Sequence, residues 1–366
     1  MCLTRAMAPG TAEGSPGDGV FRCTNDDLDE LIRFQSRVQP ERDRTLDPAH
    51  VGWLFGPNPS RSDNELTMWI SRRGGHIVGN IGAILAEVQI DGEPASVAWS
   101  VEVLVDERWR GTEVAQELAE ARNRVLDSRL FGALGISDAG HRFALRRGYV
   151  GMSPMSTHVW LADPSRLLAR HGPPPRFAQV ARPFALAAGT LVRGLCRLRS
   201  RRAELVPIES FDERSDTLWR EVAPSYRVIG RRDAAWLEWR FDSCPERASY
   251  QRYYVSFDGA IVGFVVLRMW LRNEEPFLSV VDYLAAPRHL GPMFGLAALR
   301  AQALGAAGVA CRATHPGTHR SLRYLGYMRR HQDARFMVKI EGDDPLAPVV
   351  LNAGNWFLTA ADSDVN

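Results

Sequence analysis

The sequence predicts an α/β chain made of two repeats of one strand-rich unit with helices inserted between the strands. An internal repeat carries this first: Gly75-His76-Ile77-Val78-Gly79 returns as Gly259-Ala260-Ile261-Val262-Gly263, and Arg147-Gly148-Tyr149 returns as Leu325-Gly326-Tyr327. From Gly79 to Gly148 is 69 residues and from Gly263 to Gly326 is 63, so the two elements keep almost the same separation. The stretch Ser100 to Arg122 adds a β-branched run, an Arg-Gly turn and a helix with apolar positions three and four apart. Finally, 366 residues is a length that divides naturally into two domains, each large enough to bury a core.

The elements follow in order. Residues 1–19 are rich in Gly, Ala and Pro, lack the apolar core of a signal peptide, and read as a disordered leader of a cytoplasmic protein. Val20 to Cys23 is a first strand, and Thr24-Asn25-Asp26-Asp27 caps a helix reaching Val38. A short helix covers Pro48 to Phe55. Leu66 to Ser71 and Ile77 to Gln89 form a hairpin about Gly74-Gly75, and Asp91-Gly92 turns into a strand from Ser96 to Val105. The helix after Gly111 runs to Asp127, followed by a strand Phe131 to Ile136, a helix His141 to Arg146 and a strand Tyr149 to Trp160, closing a first unit at 20–163. Pro173-Pro174-Pro175 marks a basic linker at 164–203. The second unit, 204–341, has helices at Glu213–Glu221, Asp233–Trp239 and Leu296–Leu304, a hairpin at Asp258-Gly259, and strands at Phe277–Leu284, Val309–Ala313 and Ala334–Ile340. The tail, 342–366, carries Asn355-Trp356-Phe357-Leu358 and has enough apolar surface to dock on the body.

Composition excludes several classes. With 45% hydrophobic and 24% charged residues and a net charge of +2, the whole chain has neither the basic excess of a nucleic-acid binder nor a membrane protein's apolar runs. Five cysteines without CxxC spacing, and no histidine at ligand distance in sequence, point to neither a disulfide framework nor a metal site. Charge is local instead: from Pro164 to Ala203 there are nine arginines and no acid.

A strand that breaks at a glycine turn and runs into a helix leaves backbone N–H groups pointing out of the helix N-terminus, a corner suited to a pyrophosphate. Here that corner reads Arg110-Gly111-Thr112-Glu113-Val114-Ala115. It resembles the acyl-CoA-binding motif of the GNAT acyltransferases, Arg/Gln-x-x-Gly-x-Gly/Ala, with the arginine and the last small residue matching and Glu113 at the middle glycine. The resemblance implies two tandem GNAT-like units, each a mixed, mostly antiparallel sheet with helices on both faces. It implies acetyl-CoA or another acyl-CoA as donor, no metal, and a small-molecule amine as acceptor. Arg110, Gly111, Thr112, Val114 and Ala115 are the implied cofactor contacts, with Val103, Leu104 and Val105 pairing with the pantetheine.

Acyl transfer to an amine takes a proton from the amine, and the resemblance implies that the strand before the turn presents the base. Glu102 is the candidate in the first unit and Asp282 in the second, each open to the alternative that neighbouring N–H groups satisfy it. The family's usual acid, a tyrosine four residues before the Gly-Tyr pair, is replaced by Ala144 and Leu322; Tyr149, Tyr324, Tyr327 and His141 lie near. The second unit's own corner, Ala286 to Met293, contains Pro292, which has no N–H to offer a phosphate, so the cofactor is assigned to the first unit.

Trp236-Leu237-Glu238-Trp239-Arg240-Phe241, after Arg231-Arg232-Asp233, resembles a segment of bacterial double-GNAT proteins associated with polysaccharide biosynthesis. Two tryptophans three apart pack a core by default. The functional alternative makes Arg232, Trp236, Trp239 and Arg240 an acceptor-binding wall, with an amino sugar as acceptor. The basic segment Arg182 to Arg202 is either a solvated linker helix packed on both domains or a surface for tRNA or an anionic membrane. The other two functional classes are a Fem-type transferase, which uses aminoacyl-tRNA, and a non-catalytic binding protein.

Overall fold

A computed structural model describes residues 17–40, 47–61, 63–165, 175–272 and 274–363, so most of the expected leader lies outside the described residues. Its strands form two sheets, of nine and seven strands, both mixed and mostly antiparallel. The chain divides into two compact units. Unit 1 draws on Met1–Gly56, Glu65–Ala83 and Glu102–Asp127, and unit 2 on Pro57–Asn64, Ile84–Val101 and Ser128–Asn366.

In unit 1, strand β1 (Gly19–Arg22) pairs antiparallel with β2 (Met68–Arg73), and β2 with the first half of β3 (His76–Ile90). Helix α1 (Leu28–Val38) buries Leu28, Leu31 and Phe34, and Arg72 of β2 fastens its start through Asp27 at 2.8 Å and Glu30 at 2.7 Å. Helix α2 (Pro48–Phe55) begins where the Asp47 carboxylate accepts the His50 N–H, with proline at the first position, where no N–H is needed. Strand β4 (Glu93–Val105) ends in this unit and leads to helix α3 (Val114–Val125). Gly79 explains its place in the repeat: a Cβ there would lie 3.0 Å from Val114 and 3.2 Å from the Leu104 carbonyl oxygen, so glycine lets α3 and the end of β4 come close.

In unit 2, residues Val97–Ser100 of β4 pair in parallel with β5 (Leu130–Leu134). Helix α4 (Asp138–Arg146), β6 (Val150–Gly151), β7 (Met155–Leu161) and helix α5 (Pro175–Arg199) follow. Next come β8 (Ala203–Pro207), α6 (Glu213–Val222), β9 (Val228–Gly230), α7 (Ala234–Leu237), β10 (Tyr250–Phe257), β11 (Ala260–Arg272), β12 (Glu275–Ala285) and α8 (Leu290–Ala303). The last elements are β13 (Gly308–Ala313), α9 (Pro316–Tyr324), β14 (Met328–Ala334), β15 (Phe336–Lys339), α10 (Ala347–Val350) and β16 (Trp356–Phe357). The seven-stranded sheet runs β14-β7-β13-β12-β11-β10-β8.

The expected closing strands do not stay in one sheet: Tyr149 to Trp160 becomes β6 and β7, separated by Pro154, while Ala334 to Ile340 shortens to β15, with β14 a further strand just before it. β7 lies between β13 and β14 in the seven-stranded sheet, while β15 pairs with β5 and β6 in the other. Each repeat therefore lends a strand to the other's sheet, and the boundaries at 163 and 341 do not separate the sheets.

Residues 175–199 of the basic linker form helix α5. α5 packs on α8, where a Cβ at Gly295 would stand 2.3 Å from Ser200 Oγ, and that hydroxyl donates to the Pro292 carbonyl at 2.8 Å. In the tail, Trp356, Phe357 and Leu358 are fully buried, with β16 parallel to β9 and the Thr314 hydroxyl donating to the Trp356 carbonyl at 2.8 Å.

Candidate functional site

The end of β4 is irregular. Its ladder with β5 stops at Ser100, and two residues on Glu102 takes φ +54°, which a side-chain-bearing residue adopts only when its surroundings hold it there. The Asn80 side-chain amide donates to the Glu102 carbonyl and provides that hold. Val103–Val105 then continue the strand beyond the β5 ladder, with Val103 exposed.

The strand leaves through a tight sequence of turns. Asp106 accepts the Arg108 N–H at 3.1 Å and starts a 3-10 turn at Glu107–Trp109; Arg110 is extended, and Gly111 has φ +80°. Nothing lies within 4 Å of where a Gly111 Cβ would be, so the space above the turn is open. The Thr112 hydroxyl donates to the Trp109 carbonyl at 2.7 Å, and the Val114 N–H reaches that hydroxyl at 3.5 Å as α3 begins. Glu113 sits at the helix cap, exposed, without a capping hydrogen bond. Arg110 reaches back to donate from Nε to the Val105 carbonyl at 3.2 Å. Ala115 is half-buried in the first turn of α3, and Val114 is buried against the sheet.

A cleft of about 530 Å³ opens beside this turn, lined by Thr112, Trp109, Val78 and three arginines, Arg37, Arg73 and Arg108. Arg37 Nη2 donates to Asp106 Oδ2 at 3.1 Å, and Arg108 Nε donates to Oδ1 at 3.2 Å. The Arg108 side chain and backbone N–H, with Arg37 adding charge, hold the Asp106 carboxyl below the usual carboxylate range. Arg73 pairs with Glu117, its guanidinium 5.9 Å from the centre of the Trp109 ring. These three arginines against Asp106 and Glu117 leave the cleft positive. Arg108 and Trp109 are neighbours of Arg110 in sequence, but Arg37 and Arg73 come from other elements, and no spacing in the chain announces them.

The second unit's candidates sit in different surroundings. Asp282 of β12 is buried, accepts from Arg232 Nε at 3.0 Å, from the Thr359 hydroxyl at 2.8 Å and from the Tyr283 N–H at 2.9 Å. Burial raises its carboxyl, with Arg232 pulling the other way. Arg232 also donates to Asp362 and to the Gly230 carbonyl at 2.7 Å. Asp282 is thus a member of a buried ion-pair network, which matches the alternative in which neighbouring groups satisfy it. In the expected acceptor wall, Arg232, Trp236, Trp239 and Arg240 are all buried, the two indoles packed 4.7 Å apart and Arg240 donating to the Ser363 carbonyl at 2.6 Å. The default reading of that cluster as core is the one its burial supports.

Among the possible acids, Tyr327 is buried and donates to the Phe294 carbonyl at 2.9 Å, and Tyr149 lies 3.4 Å from Ser100 Oγ. Tyr324 is exposed. Among the described residues no cluster of His, Cys, Asp and Glu is placed to hold a metal ion, and no helix is long and apolar enough to cross a membrane.

No protein-family description and no curated protein matches the chain. Solved structures do. A GCN5-related N-acetyltransferase from Anabaena variabilis is 11% identical with a TM-score of 0.58, covering 88% of this chain and 72% of its own. Saccharomyces cerevisiae N-myristoyltransferase with bound myristoyl-CoA is 12% identical with a TM-score of 0.57, covering 90% and 84%. A GCN5-related N-acetyltransferase from Kribbella flavida is 14% identical with a TM-score of 0.54, covering 92% and 74%. The chain has the fold of the GCN5-related N-acetyltransferases.

Proposed function

We propose that the protein is an acyl-CoA-dependent N-acyltransferase whose donor binds along the end of β4 and at the turn into α3. The observation that carries this reading is the combination at one corner: a strand freed from its ladder after Ser100, a held left-handed residue at Glu102, and an open Gly111 turn beside three arginines. The donor's groups fit what is there. Backbone of Val103–Val105 offers amide pairing to an extended pantetheine, the remaining N–H groups of the first α3 turn suit a diphosphate, and Arg110 and the cleft arginines supply charge for phosphates.

In the reaction the amine nitrogen attacks the thioester carbonyl carbon, a C–N bond forms, and the C–S bond breaks as the tetrahedral intermediate collapses. The amine's proton goes to a base, for which Glu102 is the candidate, and the thiolate leaves and takes up a proton. Acetyl-CoA is the simplest donor and a small-molecule amine, such as an amino sugar, the proposed acceptor. Thiol release with a panel of amines, using acetyl-CoA and longer acyl-CoAs, tests the reading. Turnover with one amine supports it; no binding of any acyl-CoA in calorimetry contradicts it, and CoA binding without turnover makes the protein a binder.

A further inference from the structure

We infer that the second unit holds a separate site for a small phosphate-bearing ligand, in the cleft between α5, the turn after β12 and α9. The cleft has a volume of about 300 Å³ and is lined by Arg199, Arg288 and Arg320 with Gly291, Ser321 and Tyr324. Each arginine comes from a different element: Arg199 ends α5, Arg288 lies in the 3-10 turn Pro287–His289, and Arg320 lies in α9. Folding therefore brings three like charges to one opening.

The surroundings do not neutralise them. No lining residue is acidic, and the sequence has no acid from Pro164 to Ala203 and none from Tyr283 to Gln332. The first acid after that stretch, Asp333, pairs with Arg329 at the other end of the segment. Three cations without a counter-charge repel one another weakly in water and bind an anion well, because several charge-assisted hydrogen bonds converge on one set of oxygens. Arg199 is held in place over the exposed Tyr324 ring, 4.9 Å from its centre, and Arg288 Nε lies 3.0 Å from His289 Nε2.

This differs in kind from the corner of unit 1. Here the Pro292 nitrogen carries no hydrogen, so the turn offers one backbone donor fewer than a glycine-rich corner. Nothing within 4 Å would meet a Cβ at Gly291, which leaves room at the cleft floor for the ligand. Side chains do the recognising: arginines and the Ser321 hydroxyl for phosphate oxygens, and the Tyr324 ring for a sugar or base attached to them. The ligand class is a phosphate ester of a small ring-bearing molecule, either free or as a lipid headgroup. The inference stands independently of the acyl-transfer reading.

The test is isothermal titration with pyrophosphate and with adenosine 3′,5′-bisphosphate on the full chain, the double variant Arg288→Ala/Arg320→Ala, and Arg110→Ala. These arginines are exposed, and unchanged melting of the variants confirms that they fold. The expected result is a class of binding that weakens at least tenfold in the double variant and persists in Arg110→Ala, beside any retained at the Arg110 corner, with Tyr324→Ala weakening the bisphosphate in that class more than pyrophosphate. Flotation with phosphatidylglycerol or phosphatidylcholine vesicles separates the sources: retention on the anionic vesicles that falls in the double variant assigns a headgroup. Binding of all probes unchanged in the double variant, or abolished by Arg110→Ala alone, overturns the site.

Discussion

The chain contains the strand-to-helix corner twice, and the two copies have been built into opposite things. In both, a repeat glycine lies against the strand's penultimate carbonyl region: a Cβ at Gly79 would stand 3.2 Å from the Leu104 oxygen, and one at Gly263 would stand 2.5 Å from the Leu284 oxygen. Both strands are irregular five residues before their 3-10 turn, at Glu102 with its positive φ and at Asp282, where the register of β11 with β12 slips. They part after the turn. Unit 1 inserts Arg110 to Glu113, with Gly111 left-handed, before α3 starts. Unit 2 passes from Pro287–His289 straight into α8, and Asp282 is locked to Arg232. One corner keeps open backbone beside a cleft lined by arginines, with Glu102 buried at the irregularity of its strand. The other has used its carboxylate to fasten the tail, through Thr359 and Asp362, to the sheet.

The largest expected effect separates the two carboxylates. Asp282→Ala leaves Arg232 with one fewer buried counter-charge and should cost about 3–5 kcal/mol in urea unfolding, while Glu102→Gln changes stability little. Equal losses would break the comparison. Acid should act on unit 2 next. Burial, then the neighbouring His319, pushes His158 down to about 4, and burial with His319 and Arg320 does the same to His315. Unfolded histidines titrate near about 6.5, so between these values the unfolded chain binds more protons. Their contribution is complete above about pH 6.5 and is lost as pH falls towards 4. Melting temperature followed from pH 7.5 downwards should show this slope, and His158→Gln should flatten it.

Smaller effects sharpen the account of unit 1. Glu102→Gln should lower kcat by about 10²-fold with CoA affinity unchanged. Arg110→Ala should weaken CoA by about 1–2 kcal/mol, the loss of one charge-assisted contact; calorimetry reads it directly. Gly111→Ala should destabilise by about 1 kcal/mol, the cost of a Cβ at a left-handed residue, even though the space there is open.

Much of this was legible in the sequence. α2 has the expected bounds, Pro48–Phe55, because Asp47 and Pro48 mark its start and Gly56 its end. The hairpins at Asp91-Gly92 and Asp258-Gly259 follow from residues suited to positive φ. The exchange of β7 and β15 between sheets was not legible, since alternation of side chains tells which face a strand buries and not which neighbour it takes. The Arg232 network was hidden for a related reason: its members lie 50 and 130 residues apart in the chain, and an Arg-Trp-rich segment looks the same whether it lines a groove or closes a core.

Hydrogen exchange read by mass spectrometry, on the full chain with and without CoA, tests the central claim most directly. The account predicts that CoA slows exchange across Val103–Gln116, where strand backbone and the first turn of α3 would take up the donor. Unchanged exchange there while CoA is bound, or slowing confined to Pro287–Phe294, would contradict it.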